Sequence, residues 1–159
     1  MALNYQRNSY KLWEAALKTY NNKECRKIFD VEFCAKANEN EIRQILLKYK
    51  IALQPNNHVK IWQTISKTVF NNFNSFQGLL EESTFDYLKL KEIIQDKMKK
   101  SFPYLSGPKI FNYWNFILTE YCQVDLKNSD LIEIAPDTHV IQASVKLGLI
   151  SENEAKTLS

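Results

Sequence analysis

Glycine and proline are scarce, at three and four in 159 residues. A many-stranded sandwich or barrel needs turn residues roughly every ten positions, so the shortage excludes such folds and favours long helices. No apolar run approaches the ~18 residues that a membrane span requires. The opening MALNYQRNSY lacks the apolar core and cleavage site of a secretory signal. The expectation is a soluble, cytoplasmic protein with no membrane contact. Cysteine is sparse and odd in number: Cys25, Cys34 and Cys122. Their spacing fits neither a zinc site nor an iron–sulfur loop, so no metal is expected and the thiols read as reduced and structural. Charge of one sign is lacking too. Twenty-one Lys and Arg against eighteen Asp and Glu leave +3, with a pI near 8.6. That balance permits nucleic-acid binding without demanding it.

What is present is helical periodicity almost throughout. A first helix is predicted over 9–20, with Tyr10, Trp13, Ala16, Leu17 and Tyr20 facing inward. A short helix follows around Ile28, Val31, Phe33 and Cys34. A third, over 39–53, turns Ile42, Ile45, Leu46 and Tyr49 inward. After LQPNNH a fourth helix is predicted over 58–73, then a short helix in NSFQGLLEES, a fifth over 84–100, and a turn at SFPYLSGPK. A sixth helix spans 109–121, QVDLKNSDLIEIAP reads as loop, and a last full helix runs from Asp137 to near Gly148. Ser151-x-x-Glu154 is a capping box that opens one more helix. The chain ends within that helix, so the reading is either a truncated chain or a short terminal helix. Residues 1–38 read as an N-terminal helical segment packing on the core, and 39–159 as the main all-α domain.

Three segments have residues suited to chemistry. In PDTHVIQASVKLGL, Asp137 is placed to cap a helix, and the helix dipole keeps its carboxylate ionised. Gly148 is placed to stop that helix. A cap alone explains the pattern; a catalytic carboxylate needs a nucleophile or phosphate site nearby. In FPYLSGPKIFNYWNFIL, a Gly-Pro turn feeds a helix whose first N–H groups suit a phosphate. Lys109 follows immediately. Aromatic neighbours, among them Phe102, Tyr104, Phe111, Tyr113 and Trp114, would desolvate its amine and make it a nucleophile. The plainer reading is a surface lysine after a tight turn. In IALQPNNHVKIW, Gln54, Asn56 and Asn57 form either an ordinary turn or a polar wedge. Amide side chains suit the hole left in a duplex by an extruded base.

Taken together, the three segments resemble the helix-hairpin-helix DNA glycosylases, the endonuclease III and 8-oxoguanine glycosylase superfamily. Asp137-Thr138-His139-Val140 with Lys146-Leu147-Gly148-Leu149 is similar to that family's V-D-T-H-[IV]…[RK]-L-G-L segment. LSGPKI resembles its hairpin, usually L-P-G-V-G-x-K. IALQPNNHVKI resembles the segment that enters DNA. The resemblance covers roughly 40–150 in the same order along the chain.

It implies a compact, multi-helix all-α fold with a helix-hairpin-helix motif. The implied function is that of a DNA-repair N-glycosylase with abasic-site lyase activity. Asp137 would stabilise positive charge on the sugar, and Lys109 would form a Schiff base at C1′. If Gly107 matches the hairpin's first glycine rather than its second, Phe111 takes the lysine's place and lyase chemistry is lost. Ser106 and Gly107, with Lys99 and Lys100, would hold phosphates. Trp62, Tyr104 and Trp114 are candidates for stacking on an extruded base, each with core packing as its plainer reading. His139 reads as structural. The implied partner is duplex DNA with a damaged base or abasic site, bound by a monomer. No cofactor is implied beyond a monovalent cation on the hairpin carbonyls. The rival readings are an inactive helix-hairpin-helix DNA-binding protein and a helical protein–protein module.

Overall fold

The computed structural model describes residues 2–3, 7–133 and 138–158. The elements among them are helical, with a single isolated bridge between Asp86 and Lys127 as the only strand-like pairing. α1 (Ser9–Asn21) begins at Asn8, whose side chain accepts from the Tyr10 N–H. A 3-10 turn at Arg26–Phe29 leads into α2 (Val31–Lys36), capped by Asp30. α3 (Glu39–Lys48) is capped by Asn38. α4 (Pro55–Phe73) is the longest helix and forms the scaffold on which α2, α3 and α5 (Phe76–Glu82) pack. Its inward stripe contains Val59, Ile65 and Val69, all buried. One apolar cluster joins Leu12, Ile28 and Cys34 to Ile42, Leu46 and the α4 stripe.

The helix of 9–20 forms, but with another phase. Its buried residues are Leu12, Ala15 and Thr19, whereas Tyr10, Trp13, Leu17 and Tyr20 face outward. Periodicity identifies a helix; the neighbour that covers it sets which stripe goes inward. Here that neighbour is the adjacent 3-10 turn. Tyr20 meets the edge of Phe29 and receives the Arg26 guanidinium at 4.7 Å, which forms a satellite contact outside the core. The third predicted helix stops five residues early, because Lys50 adopts φ +60°. Tyr49, expected on its inward face, is half-buried and accepts from Asn22 Nδ2 at 3.1 Å.

The predicted helix of 84–100 is shorter and composite. Thr84 and Phe85 both have positive φ, and α6 (Tyr87–Lys91) starts only after Asp86, which accepts from the Leu88 and Lys89 N–H groups. The next turn widens: the Met98 N–H reaches back five residues to Ile93 O at 2.8 Å, the π-type pattern. A 3-10 turn at Lys99–Ser101 then leads to the tight turn at 102–107 and to α7 (Pro108–Glu120). α8 (Thr138–Lys146) ends as expected at Gly148, φ +70°. Leu149 N–H bonds Ser144 O and Gly148 N–H bonds Val145 O, the paired bonds of a Schellman stop. α9 (Glu152–Leu158) opens with the predicted capping box: Glu154 N–H donates to Ser151 Oγ, and Ser151 N–H donates to Glu154 Oε2. None of the described helices is long and apolar enough to cross a membrane.

Candidate functional site

The α3–α4 junction begins where Lys50 turns left-handed. Gln54 is extended and caps α4 through its backbone, with Pro55 in the first helical position, where its missing N–H costs nothing. Asn56 and Asn57 therefore lie in the first turn of α4, three residues earlier than the predicted start at His58. Both are exposed, and Gln54 is half-buried. Asn56 Oδ1 accepts from Arg43 Nη1 at 2.8 Å. Asn57 Nδ2 donates to Gln54 Oε1 at 3.1 Å and to Tyr104 Oη at 3.3 Å. The junction and the Phe102–Gly107 turn thus meet on one surface, although 47 residues separate Asn57 from Tyr104.

That turn is anchored by Phe102 and Leu105, both buried. Tyr104 sits between them with φ +62° and its ring outward, 46% exposed. The Ser106 N–H donates to Phe102 O and the Gly107 N–H to Tyr104 O. Leu105 N–H takes Pro103 O, and Gln95 Nε2 takes Ser106 O. The two N–H groups expected to meet a phosphate are thus already bonded within the turn. The first turn of α7 remains as the donor end, since Gly107 gives that helix no side-chain cap. Lys99 and Lys100 are exposed on the preceding 3-10 turn. Among the described residues, no three His, Cys, Asp or Glu side chains gather as metal ligands.

Lys109 is exposed at the second position of α7. Phe102 and Phe111 are in the core. The lysine lines an open cleft of about 680 Å³ with Tyr113 and Phe116 on α7 and Asp130 and Glu133 opposite. Lys109, Tyr113 and Phe116 lie four and three residues apart, so they share one face of the helix. The two rings are nearly parallel, 14° apart with centroids at 6.3 Å, and about two-fifths exposed. The sequence reading missed Phe116 altogether and took Tyr113 only as a neighbour of Lys109. A helical wheel anchored on Lys109 would have found both. Asp137 lies outside the described residues.

Trp62 and Trp114 face elsewhere. Both line a smaller cavity, about 200 Å³, with Phe29, Ile65, Phe76 and Leu105. Both are half-buried and packed against the core. Trp62 Nε1 donates to Cys34 Sγ at 3.3 Å, and Trp114 meets Phe76 and Phe111. Burial pushes the Cys34 thiol up to about 11, against the opposing pull of the Trp62 N–H. All three cysteines are free, Cys25 and Cys34 buried and Cys122 exposed. The structure therefore separates Lys109 from two of the three expected stacking residues. The third, Tyr104, stands at the junction surface.

His58 is a further residue of the site, one that the sequence reading used only to mark the start of a helix. It is 1% exposed, and its Nδ1 accepts from the Leu53 N–H at 3.1 Å and faces the Gln54 N–H at 3.5 Å. Burial first, and then the Arg7 charge, hold its imidazole below the ordinary histidine range. Arg7 donates through Nη1 to Lys50 O at 2.6 Å and through Nη2 to Ile51 O.

No protein-family model matches this chain, and no curated protein and no solved structure matches it.

Proposed function

We propose that the protein binds duplex DNA at a damaged base or abasic site and acts there as an N-glycosylase with abasic-site lyase activity. The observation that carries this reading is the contact of Asn57 with Tyr104. It joins the amide-rich junction and the turn that feeds α7, the two segments that the reading assigns to DNA, on one surface. Lys109 stands two residues beyond that turn, in an open cleft with a ring pair one and two turns further along α7.

In this reading Gln54 and Asn57 enter the duplex, and the first turn of α7 with Lys99 and Lys100 holds the backbone. The extruded base lies on Tyr113 and Phe116 rather than on Trp62 or Trp114, which are committed to core packing. The unprotonated Lys109 amine attacks C1′. The glycosidic bond breaks, its electron pair leaves with the base, and the base takes up a proton. The amine then gives up a proton as the C1′–O4′ bond breaks and O4′ is protonated, leaving a Schiff base at C1′; loss of a C2′ proton from it expels the 3′ phosphate, which cuts the strand. Asp137 stabilises the positive charge that develops on the sugar.

The test is borohydride trapping on a duplex with a natural abasic site. A covalent adduct from the wild-type protein, lost in Lys109→Ala while binding persists, is the expected result. Abasic-DNA binding without an adduct would leave the inactive-binder reading. The outward Tyr10, Trp13, Leu17 and Tyr20 of α1 favour a second reading, a helical protein-interaction module. That reading requires no salt-dependent DNA affinity.

A further inference from the structure

We infer that Arg7 and His58 are positioning residues for the DNA-facing junction: together they fix the backbone that presents Gln54 and Asn57. The inference rests on the DNA-binding reading above.

The junction spans only a few residues, and its outward backbone groups do not satisfy one another. Lys50 N–H returns to Leu47 O and Ala52 N–H to Leu46 O. The Lys50 and Ile51 carbonyls accept from the Arg7 guanidinium. On the other side, Leu53 N–H points at His58 Nδ1, with Gln54 N–H nearby. Two side chains thus serve groups on four consecutive peptide units, from the Lys50 carbonyl to the Gln54 N–H. A planar fork suits two neighbouring carbonyls as an ammonium does not. A neutral imidazole presents one acceptor at a fixed angle. Arg7 lies 43 and 44 residues from the carbonyls it holds, so the N-terminal segment reaches the junction directly. Ile51, Ala52 and His58 are buried, whereas Leu53 and Asn57 are exposed. His58 anchors the junction from the interior and Arg7 from a half-buried position, and the Asn57 amide they aim is at the surface, as a positioning role requires.

The dependence is also conditional on protonation. Nδ1 accepts only while it carries no proton, and a charged imidazole would face the Arg7 guanidinium. Arg7 is the charged group acting on His58. Burial of the ring favours the neutral form that the junction needs.

The probes are a duplex with a single tetrahydrofuran abasic-site analogue and the same duplex intact. Binding is measured by anisotropy at a temperature where circular dichroism shows each variant folded. Arg7→Ala and His58→Phe are expected to lose about tenfold in preference for the abasic probe, with intact-duplex affinity changed by less than about twofold. His58→Asn, whose Oδ1 can stand in for Nδ1, should keep the preference, and Arg7→Lys should restore only part of it. A cycle with Gln54→Ala/Asn57→Ala guards against a purely structural effect. In that background Arg7→Ala should cost nothing further in preference. An equal loss in both backgrounds overturns the positioning role, as does an equal loss for both probes. A wild-type protein with no preference for the abasic probe overturns the DNA reading itself, and this inference with it.

Discussion

Asn57 Nδ2 lies 3.3 Å from Tyr104 Oη and 3.1 Å from Gln54 Oε1, so one amide bridges the start of α4 and the turn before α7. Both Asn57 and Tyr104 are exposed, and a hydrogen bond at the surface contributes little to folding, roughly 0–1 kcal/mol. Its value is orientation. Tyr104→Phe should melt within about 2 °C of the wild type, taking ~0.5 kcal/mol as the loss. Preference for abasic over intact duplex should fall a few-fold. Thermal denaturation and anisotropy titrations measure the two effects separately.

Lys109 is exposed on the first turn of α7, so its amine lies outside the apolar core. Lys109→Ala should unfold at the wild-type temperature, since surface substitutions are usually within about 0.5 kcal/mol. It should bind abasic duplex within about threefold of the wild type, having lost one cation. No borohydride-trapped adduct should form. Phe111 is buried beneath the same turn, so Phe111→Ala should destabilise by about 3 kcal/mol or more. The wild-type adduct separates the two hairpin alignments: with Phe111 in the lysine's place none should form, whereas an adduct that survives Lys109→Ala would show that the nucleophile is elsewhere.

Local signals in the sequence held where the partners were local too. The Ser151–Glu154 box and the Gly148 stop depend on residues a few positions away, and both formed with the expected bonds. The α1 stripe failed because its phase depends on what covers the helix, and periodicity does not say which side that is. The predicted start of α4 is three residues late because LQPNNH reads as a turn, although proline suits a first helical position. Trp62 and Trp114 read as stacking candidates from their aromatic character, and the plainer reading of core packing is the one the structure shows. Their separation from Lys109 follows from rotation along α4 and α7, which only the packed structure fixes. His58 gave no signal at all: its partners are the backbone N–H groups of a junction whose shape is not local.

Two glycines should respond differently to the same substitution. At Gly148 a Cβ would meet nothing within 4 Å, so Gly148→Ala costs only the left-handed φ of +70°. About 1 kcal/mol is expected. Gly148→Asn should cost less. Gly78 is in the first turn of α5, and a Cβ there would lie inside the contact distance of the Phe73 carbonyl oxygen. That oxygen is backbone at the end of α4, so the chain itself must move. Gly78→Ala should therefore cost about 3 kcal/mol, several times the effect at Gly148. Urea denaturation of the two variants side by side gives the comparison; equal losses would contradict the packing described between α4 and α5.

The last prediction concerns pH. Burial and then the Arg7 charge lower the folded-state value of His58 from its ordinary 6.5. The unfolded chain therefore binds a proton more readily than the folded one, and stability must rise with pH across the window between the two values. The contribution of neutral His58 is fully present above about pH 6.5. It is lost as pH falls from there through the folded value, where the imidazole charges even in the native state. Urea midpoints at pH 7.5, 6.5 and 5.5 should decline in that order. His58→Asn has no group that titrates in this range and keeps an acceptor for the Leu53 N–H, so its decline over the same steps should be shallower. Identical slopes for the two proteins would mean that His58 is as easily protonated folded as unfolded, and the junction would then have to tolerate a charged ring against Arg7.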